Sequence, residues 1–163
     1  MVIVGWIGLG VVVLAIAIIV GIRFYLNRNS KPTYITKHGC KVWCQGAKHM
    51  KSKRADVERE CDKFLEAASL KFKRQDILDA LKELTITFKD KPFPPEGPVA
   101  TDAELLSGVF IHREKRVVVY TSKDNSLEKS ALAHEMIHFM MYQVDGIIDY
   151  NNSMKEYWGL IGE

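Results

Sequence analysis

Two histidines and one glutamate stand close together in the run Leu132-Ala-His-Glu-Met-Ile-His138. His134 and His138 are four positions apart, so on an α-helix both imidazoles lie on one face, one turn from each other. This spacing suits two nitrogen ligands of a single zinc ion, each about 2.0–2.1 Å from the metal. Glu135 follows the first histidine directly, so its carboxylate can take a proton from a zinc-activated water molecule without binding the metal. The three residues predict a hydrolytic zinc site.

The residues around this motif favour a buried helix. Most of the neighbouring side chains are uncharged, and no proline interrupts the run. Asn125 is a candidate N-cap with Glu128 as its capping-box partner, and Gly146 is a candidate C′ residue. The pattern predicts a helix from about Ser126 to Asp145. The alternative is a metal-free core helix, which is costly because a histidine pair and a carboxylate lose their hydration when they are buried.

The His134-Glu135-x-x-His138 arrangement resembles that of the zincin metallopeptidases. The resemblance covers the motif helix and extends toward the segment that follows it. It implies an α+β fold, in which a small mixed sheet packs on the active-site helix. It also implies one Zn²⁺ per chain as cofactor, and a peptide or protein substrate that is hydrolysed with Glu135 as general base.

A catalytic zinc needs a third protein ligand and one open coordination position. The H-E-x-x-H-x2-G-x2-H form is excluded, because Met141 stands in place of the glycine and Val144 in place of the third histidine. Glu156 follows His138 by 18 positions. This separation is similar to that of the ligand glutamate in the thermolysin-like gluzincins, so the resemblance makes Glu156 the first candidate, on a second helix that begins near Asn152.

Other residues compete for the roles around the zinc. Asp145 and Asp149 are alternative third ligands. Glu156 has an alternative role as well, because in a capping box with Ser153 its side chain would accept a hydrogen bond from a backbone N–H at the start of the helix. The site also needs a donor that stabilises the oxyanion. Four residues are candidate donors, and the sequence does not choose among them: Tyr142, Tyr150, Tyr157 and His112.

The start of the chain predicts a membrane anchor. Val2–Ile22 is an uncharged run of 21 residues, which as a helix spans about 31 Å, close to the thickness of a bilayer core. No charged residue precedes the run and Arg23 follows it, so a retained single-pass anchor fits better than a cleaved signal peptide. The positive-inside rule places the rest of the chain on the cytoplasmic side. The expected organisation is an anchor over 1–24 in the lipid bilayer, a basic linker over 25–33 and a metallopeptidase domain over 34–163.

The net charge of +3 is unevenly distributed. Residues 23–54 hold nine Lys or Arg and no acidic residue, whereas residues 55–163 hold 14 basic and 20 acidic residues. The basic stretch follows the anchor, where anionic lipid headgroups would attract it. Nucleic acid is not an expected partner, because the sequence shows no recognisable module in which basic and aromatic residues alternate. The anchor has no glycine pair at the spacing that favours helix pairing, so the oligomeric state is left open.

Four further residues of types that bind metals lie close together in the sequence: His38, Cys40, Cys44 and His49. The spacing of the two cysteines is looser than that of a Cys-x2-Cys knuckle, and no second pair follows. Buried cysteines and surface histidines are therefore preferred to a second zinc site. With Cys61 the chain has three cysteines, too few for a disulfide scaffold, and reduced thiols are expected.

Hydrophobic periodicity predicts the elements that position the motif helix. In chain order they are a strand over His38–Cys44, a helix from about Ser52 to Ala68, a helix over Asp76–Glu83, a half-buried strand over Leu84–Lys89, a proline-rich loop over Lys91–Pro98, and a hairpin of Val109–Ile111 and Val117–Tyr120. By the resemblance, the edge strand of this hairpin would hold an extended substrate beside the active site.

Two other functions stay open at this stage. The first is a membrane-anchored, zincin-like domain that binds a partner or a metal without catalysis. The second is an anchored scaffold without metal, in which the core satisfies both histidines. Turnover of a peptide substrate separates the enzyme from both.

Overall fold

The computed structural model describes residues 31–92, 107–123, 127, 131–149 and 152–162. The chain divides into two units, Met1–Pro32 and Thr33–Glu163, and every helix and strand below belongs to the second unit. The predicted anchor over 1–24 and most of the linker and of the proline-rich loop lie outside the described residues. None of the helices in the described ranges is long and apolar enough to cross a membrane.

Five strands form one mixed sheet in the order β1-β2-β3-β5-β4. They are β1 Tyr34–Ile35, β2 Lys41–Gln45, β3 Thr85–Lys89, β4 Gly108–Ile111 and β5 Arg116–Tyr120. The strands β2, β3 and β5 are parallel, and the edge strands β1 and β4 are antiparallel to their neighbours. The predicted hairpin is confirmed, with Val109 opposite Val118 and Lys115 in a left-handed conformation, φ 49°, at the turn.

The central strand β3 departs from its predicted burial. The alternation of apolar residues and threonines predicts a half-buried strand, but Thr87 is as deeply buried as Ile86 and Phe88. The prediction of the strand is confirmed and the prediction of its exposed face is wrong. Threonine is β-branched, and its branched side chain packs well on the second face of a pleated sheet.

Within the described residues, four α-helices accompany the sheet: α1 Arg54–Ala68, α2 Arg74–Glu83, α3 Leu132–Asp145 and α4 Lys155–Trp158. The buried face of α1 is the predicted one, and it consists of Val57, Cys61, Phe64, Leu65 and Ala68. These helices share one core with the sheet, which contributes Val42, Ile86, Phe88, Val117 and Val119. The predicted combination of helices with a small mixed sheet is therefore confirmed.

Helix α3 carries the motif and packs against β4, β5 and α2. It ends at Asp145, as predicted, and Gly146 follows in a left-handed conformation with φ 69°. The α-helix begins at Leu132, and the predicted N-cap Asn125 lies outside the described residues. Helix α4 is shorter than predicted, because Asn152 has a positive φ of 52° and cannot belong to a right-handed helix.

The end of α3 depends on the conformational freedom of Gly146. A Cβ atom added there would meet nothing within 4 Å, so Gly146→Ala introduces backbone strain alone and should lower the free energy of unfolding by about 1–2 kcal/mol. Gly159 is the matched control, because its φ of −59° suits any residue. Gly159→Ala should change the free energy of unfolding by less than about 1 kcal/mol. Urea unfolding of the full-length protein measures both, and equal losses would contradict the account.

Candidate active site

Helix α3 presents two different faces. Its apolar side chains are buried in the core: Leu132, Met136, Ile137, Phe139, Met140 and Met141. His134 and His138 are only half-buried and face a cleft. Their ring centroids are 5.1 Å apart. Two imidazoles on one tetrahedral zinc have centroids about 5 Å apart, so this spacing fits a shared metal.

The cleft has a volume of about 340 Å³, within the range of small-molecule and peptide sites. The edge strand β4 forms one wall with Gly108, Val109 and Phe110, and helix α3 forms another. The remaining lining residues are His112, Tyr142, Ile147, Ile148, Asp149 and Asn152. Two of the candidate oxyanion donors, Tyr142 and His112, are therefore in the cleft, with their rings 5.7 Å apart.

Glu135 lines the same cleft from a buried position, with 6% of its surface exposed. It lies directly beside the edge strand, because a Cβ atom added at Gly108 would be 2.8 Å from Glu135 Oε1 and 2.6 Å from Ala131 Cβ. Any larger residue at position 108 would displace the carboxylate or the helix. Gly108 is a residue of the candidate site that the sequence does not point to, since a glycine that opens a strand has many possible explanations.

Asp149 is buried and lines the same cleft as the two histidines. Its Oδ1 accepts hydrogen bonds from the Ser153 backbone N–H at 3.1 Å and from the Ser153 hydroxyl at 3.0 Å. Its Oδ2 accepts from the Met154 backbone N–H at 2.9 Å and from the Trp158 indole N–H at 3.3 Å. Burial opposes ionisation, but these donors outweigh it and lower the pKa of Asp149 to about 2. Asp149 is thus an anion at neutral pH.

Trp158 covers the histidine pair from the side of α4. The indole stacks on the His134 ring with centroids 4.4 Å apart and planes inclined by 22°. It meets the His138 ring edge-on at 4.8 Å. No signal in the sequence links Trp158 to the motif, because the contact depends on how the segment after α3 folds back.

The other predicted residues lie elsewhere. The structure does not bring Glu156 to the histidines: its side chain is 60% exposed and pairs with Lys71 at 3.1 Å. Asp145 accepts a hydrogen bond from the Tyr157 hydroxyl at 2.5 Å. Burial and this bond raise the pKa of Tyr157, which does not line the cleft. Tyr150, the fourth candidate donor, lies outside the described residues.

Among the described residues, the other candidate ligands, His38, Cys40, Cys44 and His49, do not form a shared metal site. His38 pairs with Asp62 at 2.6 Å, and His49 lies 3.2 Å from the Thr121 hydroxyl. Cys40 is buried, and its thiol shares a hydrogen bond with that of Cys61. All three cysteines are free, as predicted.

The residue types in the cleft are those that bind zinc, but their positions match a zinc site only in part. Two imidazoles and a carboxylate are the ligands of many catalytic zinc sites. Within the part of the chain that the structure describes, no three His, Cys, Asp or Glu side chains converge on a single metal position. The two histidines have the spacing for a shared ion, and Asp149 lies in the same cleft with its oxygen atoms directed at α4.

Comparison with known proteins adds no assignment. No protein-family model matches the chain, and neither the curated proteins nor the solved structures include a match. The site is therefore interpreted from its own geometry.

The close approach of Gly108 to α3 can be tested by filling the space. Gly108→Ala places a methyl group against Glu135 and Ala131, and overpacking of this kind should lower the free energy of unfolding by about 1–3 kcal/mol. Ala131→Gly removes the nearest carbon atom, so it should recover part of that loss in the double variant. Urea unfolding of the four proteins of the double-mutant cycle measures this coupling. Strictly additive losses would show that the two residues do not press on each other.

Proposed function

We propose that this protein is a membrane-anchored, zinc-dependent metallopeptidase with a zincin-like fold. The observation that carries the proposal is the meeting of His134, His138, Glu135 and Asp149 in one cleft beside an edge strand. This combination supplies nitrogen ligands, an oxygen ligand and a buried base within a single site. The antiparallel edge strand next to the motif helix is also the arrangement that the resemblance to zincins implies.

His134 and His138 would hold one zinc per chain, with Asp149 as the third ligand. Asp149 is preferred to Glu156 because it lines the cleft, whereas Glu156 is exposed and paired with Lys71. To bind zinc, the Asp149 carboxylate would give up one of the four hydrogen bonds that it accepts. The bond from the Ser153 hydroxyl at 3.0 Å is the one most easily given up, because a hydroxyl group can rotate to another partner.

Zinc in this site would act as a Lewis acid, lowering the pKa of a water molecule and polarising the scissile carbonyl. Glu135 would take the proton of that water and deliver it to the leaving amine as the peptide bond breaks. Tyr142 and His112, both in the cleft, are placed to donate a hydrogen bond to the oxyanion.

The edge strand β4 would bind an extended peptide. Tyr120 donates a hydrogen bond to the Ser107 carbonyl at 2.8 Å, so Ser107 belongs to a hydrogen-bonded pair of the antiparallel ladder. Because such pairs alternate, the main-chain groups of Gly108 and Phe110 point away from β5, toward the outer edge of the sheet. Both residues line the cleft. A substrate strand would therefore pair with them and place its scissile bond beside Glu135.

The position of the enzyme in the cell follows from the sequence. The anchor over 1–24 would insert into the lipid bilayer, and the basic linker over 25–33 would lie at its cytoplasmic surface. Confinement at the membrane would favour substrates that are themselves close to the bilayer.

A non-catalytic binding domain is the second candidate. It is favoured by the bonds that already engage Asp149, which give its carboxylate a purely structural role in the described structure. The two functions differ in peptide turnover, and both allow metal binding.

The ligand assignment predicts which variants lose zinc. Elemental analysis of the full-length protein should find about one zinc per chain, and His138→Ala and Asp149→Asn should each reduce it strongly, since a three-ligand site tolerates no loss. Glu156→Gln is the matched control and should retain its zinc. Circular dichroism verifies that each variant is folded. Loss of zinc in Glu156→Gln with retention in Asp149→Asn would reverse the assignment.

The base assignment predicts a separation of binding from turnover. Glu135→Gln keeps the size of the side chain and cannot accept the proton, so zinc content should be unchanged while peptide cleavage falls at least about 100-fold. A mixture of fluorogenic peptides, assayed with the purified full-length protein, measures cleavage. Proteolysis that persists at the parent rate in this variant would exclude Glu135 as the base.

A further inference from the structure

Trp158 contacts every side chain that we assign to the metal. It stacks on His134, meets His138 edge-on and donates its indole N–H to Asp149 Oδ2. It is also almost fully buried, with 4% of its surface exposed. A buried tryptophan usually needs a partner for its indole N–H. Here both that partner and the ring on which the indole stacks belong to the side chains that we assign to the metal.

The segment that carries Trp158 is held in place from both ends. Asp149 accepts the backbone N–H groups of Ser153 and Met154 and so fixes the approach to α4. Next to Trp158, Tyr157 donates its hydroxyl to Asp145 at the end of α3. Its ring also lies 5.9 Å from that of Phe72. The indole therefore sits on a short helix that is tied to both α3 and the start of the segment.

This arrangement has a consequence for the imidazole of His134. A histidine ring that can rotate presents its nitrogen to a metal only part of the time, and ordering it costs free energy. The stacked indole restricts the ring to one plane before any metal arrives. The indole N–H similarly restricts the Asp149 carboxylate. Groups in contact with the ligands commonly tune metal affinity in this way.

We propose that Trp158 is a positioning residue of the zinc site, which orients His134 by stacking and Asp149 by hydrogen bonding. The inference rests on the proposed function, because it concerns the affinity of the same site for zinc. It assigns Trp158 no contact with the reacting atoms. The competing explanation is that Trp158 contributes only packing, in which case its replacement alters stability and leaves the zinc affinity of the folded protein unchanged.

Two substitutions separate the contributions of Trp158. Trp158→Phe preserves an aromatic ring on His134 and removes the N–H donor, so zinc affinity should fall several-fold. Trp158→Leu removes both, and affinity should fall by about 10–100-fold. Trp43→Phe is the control, since Trp43 is a half-buried residue of β2 that does not line the cleft. Its zinc affinity should equal that of the parent.

The measurement is competition for zinc between the full-length protein and a chromogenic chelator, with folding checked by circular dichroism. Trp158→Phe keeps the test decisive even if Trp158→Leu does not fold. Parent-like zinc affinity in every Trp158 variant that folds would overturn the positioning role and leave the proposed function intact. A parent protein that binds no zinc would remove the proposed function and the positioning role together.

A spectroscopic readout complements the affinities. In the variant with Trp6→Phe and Trp43→Phe, Trp158 is the single tryptophan of the chain. Cobalt(II) absorbs visible light and quenches a nearby indole, so titration with cobalt should quench the emission until one equivalent is bound. The addition of His138→Ala should abolish the quenching. Stoichiometric cobalt binding without any change in emission would contradict the contact between Trp158 and the metal site.

Discussion

The close approach of helix α3 to the edge strand β4 is the constraint on which the cleft depends. Gly108 has no side chain, and an added Cβ atom would collide with both Ala131 and Glu135. The helix therefore lies directly against the strand, with the Glu135 carboxylate at the contact. This approach buries Glu135 and keeps the strand edge close to the face of α3 that carries His134 and His138, which line the same cleft.

The segment after α3 closes the site from the other side. Gly146 ends the helix and lets the chain turn, so that Asp149 lines the same cleft as the histidines that precede it in sequence. Asp149 then satisfies the start of α4, and α4 places Trp158 on His134. The carboxylate has a structural role and, in our proposal, a metal-binding one. Because Asp149 would have both roles, the conformation of the segment from Gly146 to Trp158 and the affinity of the site for metal would depend on each other.

Local patterns account for much of what the sequence predicts. The face of α1 and the end of α3 at Gly146 follow from helical periodicity and from a glycine at the C′ position. The hairpin follows from two β-branched runs separated by a polar turn. The spacing of His134 and His138 alone places both rings on one face, and the structure brings them to 5.1 Å. In each case a few neighbouring residues decide the conformation.

The parts of the site that sequence reasoning does not reach depend on tertiary packing. Glu156 has the sequence separation of a gluzincin ligand, yet the left-handed Asn152 shortens the second helix, and Glu156 faces Lys71 instead. Asp149 is one of three alternatives by type, and only the path of the chain shows that it lines the cleft with the histidines. Trp158 stacks on His134, 24 positions before it, and Gly108 lies against Ala131 and Glu135, 23 and 27 positions after it. Periodicity and spacing carry no signal for contacts this far apart in the chain.

The claim at the centre of this account is that the imidazoles of α3 bind zinc. X-ray absorption at the zinc K edge of the full-length protein tests it most directly. The account predicts two imidazole nitrogens together with carboxylate or water oxygens, all at about 2.0–2.1 Å from the metal. A sulfur shell at about 2.3 Å would instead place the zinc on cysteine, and a spectrum without paired imidazoles would contradict the site that we describe.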